Sequence, residues 1–103
     1  MKIANSAEEV EQEIEKSSDI ILLDFYANWC GPCKRLTPKL EEMENEFPNV
    51  IFIKINVDEL DELSEKYSIK CMPTIIFIEN TKIVKRIEGS NIDEIRTTLN
   101  NLS

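Results

Sequence analysis

Histidine is absent from this chain, glycine occurs twice, and 12 basic residues stand against 20 acidic ones. Each shortage excludes something. Without an imidazole, proton transfer near neutral pH must use a perturbed carboxylate, lysine or thiol. A formal charge of −8 lacks the basic footprint that phosphate contacts need, which argues against nucleic-acid binding. No apolar run approaches the ~20 residues that cross a bilayer. Met1 to Gln12 also lacks an apolar stretch behind a basic one, so no membrane partner and a cytoplasmic location are expected. Repeats, low-complexity tracts and Gly/Ser linkers are missing too. With 103 residues, the chain is expected to form a single domain over 1–103, long enough to bury a core.

What is present alternates between strand and helix patterns. Lys2-Ile3-Ala4 fits a short edge strand, and Ser6 with Glu9 forms a capping box for a helix with a buried stripe of Val10 and Ile14. Ile20 to Ala27 is nearly continuous apolar sequence, as in a strand buried on both faces, and Asp24 is the anomaly in it. Leu36, Leu40, Met43 and Phe47 mark one face of a helix from Pro32 to about Phe47, and Pro38 should bend it. Val50 to Val57 is a second buried strand, predicted to pair parallel with the first. Asp58 is expected to cap a short helix carrying Leu60, Leu63 and Tyr67. Thr74 to Ile78 and Lys82 to Glu88 lie close enough for an antiparallel hairpin, and Ser90 with Asp93 should open a last helix bearing Ile92, Ile95, Leu99 and Leu102. The order β-α-β-α-β-α-β-β-α implies an α/β fold, a mixed five-stranded sheet with four helices covering both faces.

The chemistry gathers at Trp29-Cys30-Gly31-Pro32-Cys33-Lys34. Thiols at i and i+3 in the first turn of a helix are neighbours, at a spacing that a disulfide tolerates without backbone movement. Half of a zinc site is the competing reading. Structural zinc takes four Cys or His ligands, and only Cys71 is left over, so no metal is expected. Asp24, six residues before Cys30, is either a buried carboxylate tuned toward neutral pH or one half of a structural ion pair with Lys54.

Taken together, Asp24, Phe25, Ala27, Trp29 to Lys34, Pro38, Lys54, Asp58, Met72-Pro73-Thr74 and Gly89 show that the chain resembles the thioredoxins over essentially its full length. The resemblance implies the thioredoxin fold and a thiol-disulfide oxidoreductase with no cofactor beyond its own Cys30–Cys33 disulfide. Cys30 would attack, helped by the positive end of the helix dipole, and Cys33 would resolve the mixed disulfide. Asp24 would take the proton of Cys33, with Lys54 moderating its pKa. Trp29, Gly31, Pro32, Met72, Pro73 and Thr74 would contact the client, with Pro73 a cis proline beside the thiols. For Trp29 and Pro73, core packing and a simple turn are the plainer alternatives. The Gly-Pro centre matches reducing members, so the function implied is a general protein disulfide reductase recharged by a thioredoxin reductase. Its client classes would include peroxiredoxins, ribonucleotide reductase or methionine sulfoxide reductase. A thioredoxin-fold binding module with incidental redox activity is the alternative, disfavoured by retention of both thiols, Asp24 and Pro73. Lys70 to Thr74 matches the vertebrate Lys-Cys-Met-Pro-Thr run. It leaves Cys71 either as an exposed regulatory thiol, linking an otherwise monomeric protein into dimers on oxidation, or as a buried strand-end residue. Two departures stand out: Tyr26 replaces a frequent Trp, which reads as a variation in packing, and Asn80-Thr81 occupies a hairpin where the family usually has glycine. A type I′ turn there needs positive φ at both positions, which Thr tolerates poorly, so another turn type or slight strain is expected.

Overall fold

A computed structural model describes all residues, Met1–Ser103. Five strands, β1 (Lys2–Ile3), β2 (Ile21–Tyr26), β3 (Ile51–Asn56), β4 (Thr74–Glu79) and β5 (Lys82–Glu88), form one sheet in the order β1-β3-β2-β4-β5. β3 runs parallel to both β1 and β2, while β4 is antiparallel to β2 and to β5. Four helices complete the fold: α1 (Ala7–Lys16), α2 (Gly31–Glu46), α3 (Asp61–Lys66) and α4 (Ile92–Leu102).

Strand alternation divides the core in two. Ile21, Leu23 and Phe25 of β2 point to one side, where they pack with Val10 and Ile14 of α1 and Leu63 of α3. Leu22 points to the other side, with Leu36, Leu40 and Met43 of α2 and Ile95 and Leu99 of α4. Residues of β2 from Ile21 to Phe25 are therefore all buried, as the unbroken apolar run requires. Removing each of the apolar side chains Ile21, Leu22, Leu23 and Phe25 from water contributes roughly 1.5–3 kcal/mol, whereas burial of the Asp24 carboxyl opposes folding.

Two local expectations are corrected, and one irregularity is added. Asp58 does not cap α3: Leu60 occupies that position without a side-chain cap, because the Asp58 carboxylate is engaged by Trp29. Asn91, not Ser90, caps α4, its Oδ1 accepting from the Glu94 N–H at 3.0 Å. The strand register also shifts at Phe77/Ile78, where Val84 is the extra residue between Ile83 and Lys85, so β5 carries a bulge. Pro38 lies within α2, which stays one helix across it. The Ser6 cap forms as expected, receiving the Glu9 N–H at 3.1 Å.

At the hairpin tip Asn80 and Thr81 have φ of +51° and +69°, the paired positive values of a type I′ turn, so Thr81 carries the strain. Gly89 has φ +92° and donates its N–H to the Pro73 carbonyl at 2.8 Å, tying the end of β5 to the start of β4. Arg86 donates to the carbonyls of Tyr67 and Ser68, securing the segment that leads from α3 toward Met72.

Candidate active site

The end of β2 and the start of α2 meet at the cysteines. The Cys30 N–H returns to the Ala27 carbonyl at 3.2 Å, and extended backbone at Cys30 (φ −90°, ψ 109°) makes it the N-cap of α2. Its Sγ accepts the Cys33 N–H at 3.2 Å, so sulfur takes the place that Ser or Asp oxygen fills at ordinary helix starts. Gly31 and Pro32 are the first two helical residues, where the missing proline N–H leaves no bond unmade. Cys30 and Cys33 have Cα atoms 5.3 Å apart and are joined as a disulfide. Both are nearly buried, with 5 % and 3 % of their surface exposed.

The Met72–Pro73 peptide is cis, which decides between the two readings of Pro73, and the Met72 carbonyl oxygen lies 3.7 Å from Cys30 Sγ. The Met72 N–H makes no backbone hydrogen bond, and the residue is half-buried. Thr74 differs from expectation. Its side chain is fully buried and its Oγ1 donates to the Cys71 carbonyl at 2.6 Å, so it shapes the loop and cannot reach a client.

Trp29 is 68 % exposed, which removes core packing as its role. Its indole N–H donates to Asp58 Oδ2 at 2.9 Å, and Asn56 Oδ1 in turn accepts the Asp58 and Glu59 N–H groups at 2.9 and 3.3 Å. The ring is thereby fixed beside Cys30. Asp58 and Asn56 were invisible in this role because only the parallel pairing of β2 and β3 brings residue 58 to residue 29.

Asp24 lies on the same face of β2 as Leu22, the face covered by α2, and only 1 % of its surface is exposed. Burial pushes its carboxyl up to about 7, and the Lys54 ammonium, its register neighbour on β3, pulls the other way. Its Oδ1 has no hydrogen-bond partner. Lys54 Nζ lies over the Tyr26 ring instead, 4.4 Å from the centroid. Cys71 is exposed and unpaired, which settles its two readings in favour of an accessible thiol. No three His, Cys, Asp or Glu side chains converge into a metal-binding group.

The thioredoxin family model matches residues 2–101. This chain belongs to the thioredoxin family. It is 45 % identical over 87 residues to Thioredoxin-1 of Caenorhabditis elegans, covering 84 % of this chain and 73 % of that protein. A Thioredoxin H-type of Ricinus communis is 35 % identical over 98 residues, 92 % of this chain and 83 % of its own. The X-ray structure of Fasciola hepatica thioredoxin superposes with a TM-score of 0.95 at 38 % identity, over 100 % of both chains. Membership, together with the Cys30–Cys33 disulfide, makes this thioredoxin a thiol-disulfide oxidoreductase.

Proposed function

We propose that the protein reduces disulfides of client proteins in the cytosol, with Cys30 attacking, Cys33 resolving and Asp24 receiving the proton. The observation that carries this reading is the seat of Cys30 Sγ at the N-cap of α2, where a backbone N–H and the helix dipole both favour thiolate over thiol. The Cys30 thiolate bonds to one client sulfur as the client S–S bond breaks, and the other client sulfur leaves as thiolate. Cys33 then gives its proton to Asp24 and displaces the remaining client sulfur from Cys30. Two electrons have moved to the client, and the cysteines have become the disulfide present in the structure.

Met72 supports the client side of this reading. Its carbonyl lies beside Cys30 and its N–H is unbonded, so an extended client segment has a backbone edge to pair with. Trp29, Gly31 and Pro32 frame that edge, while Pro73 is buried behind it and acts on the client by presenting the Met72 backbone through its cis bond. Recharging falls to a thioredoxin reductase, and suitable client classes are peroxiredoxins, ribonucleotide reductase and methionine sulfoxide reductase.

Insulin reduction coupled to NADPH oxidation through a thioredoxin reductase tests the proposal, and dithiothreitol in place of the reductase separates recharging from reduction. Cys30→Ser should abolish both activities, while Cys33→Ser should accumulate mixed disulfides with clients. Reduction that survives Cys30→Ser would overturn the assignment.

A further inference from the structure

The Lys54 side chain has two places to put its charge. Asp24 stands opposite it in the β2–β3 register, yet Asp24 Oδ1 is buried with no hydrogen-bond partner. Lys54 Nζ lies over the ring of Tyr26, two residues along β2 and on the same face. An ammonium over a tyrosine ring is held by the ring's negative face, and partial burial of Tyr26 strengthens that attraction relative to an exposed pair. The ring is itself half-buried, packed against the Ala27, Cys30 and Cys33 cluster.

We propose that Tyr26 is a positioning residue for the proton transfer: its ring face holds the Lys54 ammonium beside the Asp24 carboxyl rather than on it, leaving Asp24 free to accept and release the Cys33 proton. A directly bonded Lys54 would keep Asp24 ionised and make it a poor base. A Lys54 turned to solvent would leave the carboxylate without a neighbouring cation. The ring selects the intermediate arrangement. Groups facing this pocket are Asp24 from β2, Lys54 from β3, Glu59 from the turn after β3, and the Cys30–Cys33 pair from the first turn of α2. Burial, with Glu59 and Asp24 adding to it, holds the Tyr26 hydroxyl above its usual range, so the ring stays neutral throughout.

The inference rests on reading Asp24 as the proton acceptor, and titrating Asp24 itself keeps the two separable. The midpoint is read from the carboxyl carbon resonance of labelled aspartate in the oxidised full chain. Tyr26→Phe and Tyr26→Trp keep a ring face and should keep the parent midpoint. Tyr26→Leu frees Lys54 to pair with Asp24 and should lower the midpoint by about one unit, the scale of a partly desolvated cation–π contact. In a Lys54→Met background the same Tyr26→Leu change should move nothing. A fall that persists in Lys54→Met would assign the effect to water entry and overturn the proposal, as would an unchanged or raised midpoint in Tyr26→Leu. A shift in Tyr26→Phe would assign the effect to the hydroxyl and would equally overturn it. Should Tyr26→Leu not fold, the parent decides: Lys54 Hε protons should show an upfield ring-current shift, and ordinary positions would end the idea. Loss of turnover in Asp24→Asn is measured independently. If turnover there stays intact, the acceptor role fails while the midpoints still show what Tyr26 does to Lys54.

Discussion

Asp24 couples the chemistry of the site to the stability of the fold. Its carboxyl ionises near the ordinary 3.8 when unfolded and at about 7 when folded. Between those values the unfolded chain has released this proton and the folded chain has kept it, so rising pH favours unfolding by about 1.4 kcal/mol per unit. The penalty is absent below about pH 4, grows to the order of 4 kcal/mol by about pH 7, and is constant above that. Asp24→Asn cannot titrate. Relative to the parent it should therefore gain stability steadily from pH 4 to pH 7 in urea unfolding of the oxidised forms, while insulin reduction at pH 7 slows. A stability difference that is flat in pH would contradict a buried, titrating Asp24. Cys71 gives a second prediction at this scale. Because it is exposed, mild oxidation should produce disulfide-linked dimers on non-reducing electrophoresis, and Cys71→Ser should not form them. Of the residues themselves, Cys30, Cys33, Asp24 and Pro73 stood out in the chain because each breaks a local pattern. Tyr26 was visible only as a replacement for a frequent Trp and Asn56 not at all, since an aromatic and an amide at strand ends look ordinary until β3 pairs with β2 and brings the Lys54 ammonium over the Tyr26 ring.

Elements were legible where periodicity was strong and uncertain where two adjacent residues could do the same job. The α1 stripe of Val10 and Ile14 and the α2 stripe of Leu36, Leu40 and Met43 are buried as their spacing required. Ser90 and Asn91 both make good caps, and each has an acidic residue three positions on, so only the backbone of α4 distinguishes them. Asp58 had the right chemistry for a cap and lost the position to a competing partner, Trp29. The β5 bulge left no mark because Lys82 to Glu88 alternates well enough either way. The β4–β5 turn offers the sharpest test at this level. With Thr81 at φ +69°, Thr81→Gly should relieve strain and stabilise the fold by about 1 kcal/mol, seen as a raised urea midpoint with unchanged slope. Asn80→Gly should gain less, because asparagine already tolerates the left-handed region.

Across the whole molecule, charge is unevenly placed. The net −8 is concentrated on helical faces, with glutamates from Glu8 to Glu15 on α1 and from Glu41 to Glu46 on α2. Exposed cations flank the thiols along the chain: Lys34 and Arg35 directly after Cys33, Lys39 further along α2, and Lys70 two residues before Met72. An acidic client should therefore meet attraction at the working face and repulsion elsewhere, which favours productive orientation. The kcat/KM for reducing a disulfide peptide with acidic flanks should fall severalfold between about 0.02 and 0.5 M salt, as screening shortens the reach of these charges. A neutral peptide should show little change, and equal salt dependence for both would rule out electrostatic docking.

The chain has one tryptophan, and it is the exposed ring fixed by Asp58 next to Cys30. Every photon of indole emission therefore originates one residue from Cys30, so opening the disulfide with dithiothreitol should change the emission of the unlabelled protein, and identical spectra before and after reduction would show that the ring does not sense the thiols.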